Sequence, residues 1–302
     1  MATPTTTAAR TRTVGELIES IWAASALVTS IGAPALAADD AAAPVLARFG
    51  LVEWVDGGWV PSELLRAEIP PERTDVVRER LGSALGQAAG IAAVGTGQGW
   101  DSYSDEVFLS QGRLSAAVTR RGLSSTSIRS APNLAEVLDG CRVFLNVGVG
   151  VAGAACAICD VLPHARVIGL DVNPRALALA RELVAARGLT DRVELRLQGV
   201  EELQDVGVAS LAQIPPQFIP RPAFVEGVTR LFRALEPGGL LIIDVLSDAV
   251  DDAIDRWQAH NAGGTPITLA ECAEIVMAAG FEEPKLPPEL PAGAAVAYCR
   301  RP

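Results

Sequence analysis

Histidine is almost missing from this 302-residue chain: His164 and His260 are the only two. That excludes a histidine-rich metal centre, and no metal site is expected. Cysteine is scarce and odd in number, with Cys141, Cys156, Cys159, Cys272 and Cys299 scattered through apolar segments. Such a set reads as reduced, buried thiols rather than a disulfide framework. Cys156 and Cys159 have the spacing of a redox motif, but they fall inside a helix just after a glycine loop and are read as packing residues. Positive charge is in short supply too: 25 Lys and Arg stand against 36 Asp and Glu, a formal charge of −11. A surface of that sign repels phosphate backbones, so nucleic acid is not an expected partner. The apolar stretch Ile21–Ile31 follows Arg10 and Arg12, and Ala35-Leu36-Ala37 resembles a signal-cleavage site. Glu16 and Glu19 interrupt its approach, and Gly32, Pro34 and Asp39-Asp40 break it short of a membrane span. It is read as an amphipathic first helix of a cytoplasmic protein with no membrane association.

What the chain has in quantity is apolar residue, 49% of the total, enough for a sizeable core. Residues 1–12 are Thr/Ala-rich and expected to form a loose tail. Residues 13–95 are expected to form a helical, winged-helix-like domain. Leu17, Ile18, Ile21, Trp22 and Leu27 recur at helical spacing, and Ala42–Phe49 makes a second short helix stopped by Gly50. Two β-type runs then flank Asp56-Gly57-Gly58, which can supply the positive φ angles of a tight hairpin. In a DNA regulator this unit would be basic, yet the second helix carries only Arg48 and the hairpin carries Glu53 and Asp56. A dimerisation or substrate-covering role fits better, and a homodimer is expected.

Residues 96–302 are expected to form the second domain. From Arg142 onward, strands and helices alternate, which implies an α/β fold with a parallel sheet and crossover helices. The strands are read at Arg142–Val147, Arg166–Leu170, Val193–Leu197, Val206–Leu211 and Leu240–Leu246, with a final one at Ala294–Cys299. Asn173 caps a helix opened by Pro174, and Thr268 with Glu271 forms a capping box for another.

The informative motif is Asn146-Val-Gly148-Val-Gly150-Val-Ala-Gly153, directly after the first strand of that sheet. A ligand that approaches bare backbone requires glycine there. Asp171, at the end of the next strand, can accept hydrogen bonds from both hydroxyls of a ribose. A Gly-x-Gly-x-x-Gly pattern alone is weak, but the strand, the helix and Asp171 together point to an adenosine ligand.

The chain also carries Leu235-Glu-Pro-Gly-Gly-Leu-Leu-Ile-Ile243, a helix ending Ala279-Gly-Phe281, and a last strand. Over residues 140–302 it resembles the class I methyltransferases that use S-adenosylmethionine (SAM). The resemblance is weaker over 100–140, and Ile214–Pro220 is similar to a proline-rich loop of one group within them. It implies a Rossmann-like, mostly parallel sheet whose last strand is antiparallel, with SAM as cofactor. It further implies cofactor contacts at Asn146, Gly148, Gly150, Asp171 and Val172, and in the segment Gln198, Gly199, Val200 and Glu201. The chain departs from the family at Asn146, where an acidic residue is usual, and at Val200, where an Asp usually reads adenine. Gln198 and Glu201 are the available substitutes.

The implied activity is methyl transfer to a small metabolite, in secondary metabolism. Gln213, Gln217 and Phe218 are expected to follow strand four and line the acceptor pocket, with Trp100 and Tyr103 closing over it. No catalytic residue is assigned. His260 is placed at the end of a helix over 249–259, and His164 at the amino edge of the sheet. Three other readings remain open: a methyltransferase-fold enzyme that cyclises or rearranges SAM, a ligand-sensing winged-helix regulator, and an NAD-dependent oxidoreductase.

Overall fold

A computed structural model describes residues 13–97, 99–130, 134–246, 253–287 and 296–302. The tail expected over 1–12, the start of the helix expected at 249 and the first two residues of the strand expected at Ala294 lie outside the described residues. The chain folds as two compact units, one ending at Leu85 and one beginning at Gly86.

The first unit opens with α1 (Val14–Ser30), started by a capping box between Thr13 and Glu16. Next come α2 (Ala43–Arg48), strands β1 (Val52–Val55) and β2 (Gly58–Pro61), and α3 (Glu63–Glu68). β1 and β2 form an antiparallel hairpin, turned by Asp56 at φ 48° and Gly57 at φ 88°, as the Asp-Gly-Gly run requires. Leu27, Ile31, Leu46, Val52 and Leu65 make a small core of their own. α4 (Thr74–Val94) runs through the break between the units, so the boundary expected at 95/96 marks the end of this helix.

The second unit continues with α5 (Asp105–Ser124), α6 (Thr126–Ser130) and α7 (Leu134–Asp139). It then alternates β3 (Val143–Val147), α8 (Gly153–Val161), β4 (Arg166–Asp171), α9 (Pro174–Ala186) and β5 (Val193–Leu197). β6 (Ala209–Ile214), α10 (Arg221–Ala234), β7 (Leu235–Asp244), α11 (Ala253–Ala262), α12 (Leu269–Ala279) and β8 (Val296–Arg300) complete it. The sheet order is β5-β4-β3-β6-β7-β8, parallel except for β8, which pairs antiparallel with β7. Strand alternation sends Leu145, Ala212 and Leu241 against α10 and α12, and Phe144, Leu211 and Leu240 against α7, α8 and α9. Helices therefore cover both faces of the sheet, and its carboxyl edge is left to the loops.

Two strands differ from expectation. The fourth strand of the sheet starts at Ala209, not Val206, because Gly207 turns at φ 60° and Val206 stays exposed. Gln213 consequently lies inside β6 rather than after it. β7 begins at Leu235 and passes through an irregularity opposite Ala209 and Leu211, so the Pro-Gly-Gly segment is part of the strand. Among the described residues no helix is long and apolar enough to cross a membrane. All five cysteines are free and buried, and burial pushes the Cys156 thiol up to about 11.

Candidate active site

The chain leaves β3 in a left-handed zigzag: Gly148 at φ 65°, Gly150 at φ 54° and Ala152 at φ 63°. A side chain at Gly150 would meet no neighbour within 4 Å, so the bare backbone there faces open space. Asp171, at the end of β4, ties the loop down. Its Oδ2 accepts from the Gly150 N–H at 2.7 Å and its Oδ1 from the Asn173 N–H at 2.8 Å. Asn173 caps α9 with its own Oδ1 and donates through Nδ2 to Asp101 at 2.7 Å. Burial raises the Asp171 carboxyl above its ordinary range, three backbone amides pull it back, and the neighbouring Asp101 raises it further.

Above this loop lies a cavity of about 430 Å³. Of the residues expected to bind a cofactor, Gly148, Gly150, Asp171, Val172, Gln198, Gly199, Val200 and Glu201 all line it. Trp100 and Phe218 line it too, with ring centroids 5.6 Å apart. Asn146, Tyr103, Gln213 and Gln217 do not lie on its wall. Tyr103 packs edge-on under Trp100. Asn146, Gln213 and Gln217 sit in or below the sheet edge, where Asn146 and Gln213 are register partners.

Several wall residues carried no motif. Asp101 sits in a short turn of helix at 100–102, and Phe108, Gln111, Gly112 and Ser115 present one face of α5. Their i, i+3, i+4, i+7 spacing was the available signal, but this face mixes apolar and polar residues. The acids Asp101, Asp171 and Glu201 are on the wall, and no Lys, Arg or His is, among the described residues.

Asn146 is buried beneath the loop rather than on the wall. It is 4% exposed, and its Oδ1 has no hydrogen-bond partner. A buried carbonyl oxygen left unpaired costs about 1–3 kcal/mol.

Residues 144–239 match the family described as "Methyltransferase domain". The match lies within the second unit. The release factor glutamine methyltransferase of Moorella thermoacetica is 32% identical over 156 residues, 42% of this chain and 54% of that protein. The chain spans about half or less of the curated relatives it matches. The apo structure of the S-adenosylmethionine-dependent methyltransferase SibL superposes with a TM-score of 0.63 at 19% identity, covering 95% of this chain and 97% of that one. The mitomycin 7-O-methyltransferase MmcR gives 0.58 at 18%, covering 96% and 97%. Both likenesses extend across the two units, and at these identities they establish the fold.

Proposed function

We propose that this protein transfers a methyl group from SAM to an uncharged or cationic small molecule. The observation that carries the reading is the acid-lined cavity over the Gly148–Gly150 loop. Three carboxylates and no cation suit a ligand with a positive sulfonium and ammonium, and oppose the pyrophosphate of NAD. The relatives' names point the same way: SibL is named as SAM-dependent and MmcR as acting on mitomycin.

The residues present fit the group. Asp171 and Glu201, both on the cavity wall, offer carboxylates to the ribose hydroxyls and to the adenine. The open backbone at Gly150 leaves room for the methionine chain. When bound, SAM supplies a methyl on a sulfonium, which leaves as a neutral thioether. The protein's part is to align an acceptor behind that methyl and to keep water out. Trp100, Phe108 and Phe218 give the wall its aromatic faces, which hold a planar acceptor and attract the sulfonium by roughly 0.5–2 kcal/mol. Mass spectrometry of the purified protein is expected to find SAM or S-adenosylhomocysteine, and calorimetry to show binding of both. Binding of NAD alone would reject the reading, and methylthioadenosine as the product would support cyclisation instead.

Neither histidine serves as the general base in this reading. His164 is exposed ahead of β4, at the amino edge, and His260 is exposed on α11, stacked on Trp257 with centroids 6.2 Å apart. His164→Ala and His260→Ala are each expected to keep most of kcat. A positioned base contributes about 10²–10⁴-fold, so its loss would be plain in the rates.

The first unit pairs two chains in this reading. α1 exposes Val14, Leu17, Ile18, Ile21 and Trp22 as one stripe, with Trp22 67% exposed. Leu17→Glu with Ile21→Glu replaces side chains that make no core, so the monomer should still fold. Light scattering is expected to shift from dimer to monomer, and an unchanged dimer would place the interface elsewhere.

A further inference from the structure

Asn261 lies near the end of α11, is 2% exposed, and takes no part in the binding scheme above. Its Oδ1 accepts from the Gly97 N–H at 3.0 Å, and its backbone oxygen accepts from the Gly99 N–H at 3.2 Å. Its Nδ2 donates to the Trp257 carbonyl oxygen at 2.7 Å, which fixes the direction of the carboxamide. Gly97 and Gly99 both turn at φ 70°, in the left-handed region that glycine enters freely, and both amides end on this one residue. A buried carboxamide is costly unless it is bonded, and this one is bonded to a stretch of chain 164 residues away.

What that stretch carries is Trp100. Gly99 opens the short turn of helix at 100–102, and the Ser102 hydroxyl closes it by donating to the Gly99 carbonyl oxygen at 2.8 Å. On the other side of the ring, Asp101 accepts from Asn173. Trp100 therefore has an anchor before it and an anchor after it in the chain. One is Asn173, two residues from Asp171; the other is Asn261, next to Ala262 and Gly263 of the cavity wall. The ring packs against Phe108 and Phe218, each with centroids 5.6 Å away, and clusters with Val151 of the glycine loop. Asn261 is not itself on the wall, so it acts on a ligand only through what it holds.

We propose that Asn261 is a positioning residue: by holding Gly97 and Gly99 it sets the Trp100 ring against the sulfonium, so that SAM binds in preference to its neutral product. This rests on the SAM reading above. An indole face attracts a cation and has no such attraction for a thioether. Asp101, beside the ring, adds a negative charge on the same wall. The attraction acts only within about 6 Å of the ring centroid, so a ring held in place discriminates and a ring free to shift does not. After methyl transfer the attraction is gone, which favours exchange of the product for fresh cofactor.

Calorimetry on the full-length protein tests this, with SAM and S-adenosylhomocysteine as the two probes. Asn261→Ala should weaken SAM binding by about 3–10-fold while S-adenosylhomocysteine binding stays within about twofold of wild type. Trp100→Leu should do the same, and adding Asn261→Ala to it should weaken SAM binding by less than about twofold more. Damage to packing alone would weaken both ligands together. Asn261→Asp is the conservative variant, which keeps an oxygen for the Gly97 N–H and covers the case in which the alanine variant does not fold. Its Trp100 emission, read as the difference from the same protein carrying Trp100→Phe, should match wild type, whereas that of Asn261→Ala should shift. Equal losses for the two ligands, an unchanged SAM affinity, or losses from Asn261→Ala and Trp100→Leu that add in full each overturn the proposal. So does a Trp100 emission that shifts in Asn261→Asp. A wild-type protein that binds neither probe rejects the SAM reading itself.

Discussion

Gly153→Ala is expected to lower the unfolding temperature by about 4–8 °C and to weaken SAM binding in the same variant. A Cβ at Gly153 would lie 2.0 Å from the carbonyl oxygen of Gly112, and one at Gly112 would lie 2.2 Å from a Val151 methyl. The start of α8 and the middle of α5 therefore touch backbone to backbone. Backbone on both sides cannot rotate out of the way, so the helices must part. Overpacking of this kind costs about 1–3 kcal/mol. At roughly 2 kcal/mol, a domain of this size loses the stated few degrees. The binding effect follows from the same displacement, because α5 carries Gln111 and Ser115 on the cavity wall and moves with its backbone. Gly122→Ala, near the end of α5, is the control. A side chain there meets nothing within 4 Å, and alanine favours the helix by about 0.5–1 kcal/mol. Thermal unfolding of the two variants side by side should move in opposite directions; a Gly153→Ala protein as stable as wild type would contradict the close crossing.

This crossing also shows where sequence reading stops. The sheet, its glycine loop and Asp171 were legible because each is local: an apolar run, a positive-φ run, and an acid at the next strand end. The hairpin at Asp56-Gly57 and the capping box at Thr268 are local in the same way. The α5 wall was not legible, since its role comes from residues far along the chain at the start of α8. β6 was displaced by Val206, whose side chain suits a strand but whose neighbour Gly207 turns the chain. That shift moved Gln213 from a loop into the sheet. Asp101 had no such local marker, being a turn residue on the cavity wall that accepts from Asn173.

Asp171→Ala is expected to weaken SAM and S-adenosylhomocysteine binding by roughly 1.5–3 kcal/mol, about 10–150-fold, the scale of hydrogen bonds to a charged group. The loss has two sources. The carboxylate is the acceptor placed for the ribose, and it also holds the Gly150 N–H at 2.7 Å, so its removal loosens the loop under the ligand. Asp171→Asn separates them, since its Oδ1 can still accept from one amide while the charge is gone. The charge has its own signature. Burial, the largest influence, raises the Asp171 carboxyl, and Asp101 adds to the rise. A carboxyl raised in the folded state binds its proton more tightly there than in the unfolded chain. Its contribution to stability is present at low pH and is lost as pH rises through the folded value. Ligand binding runs the other way, because protonation removes an acceptor and a negative charge from a site built for a cation. Wild-type affinity for SAM should therefore fall as pH is lowered into the raised range of this carboxyl. Asp171→Asn should bind more weakly at high pH and lose most of that slope. Calorimetry across this range decides it: equal slopes in wild type and Asp171→Asn would take the carboxylate out of the binding site.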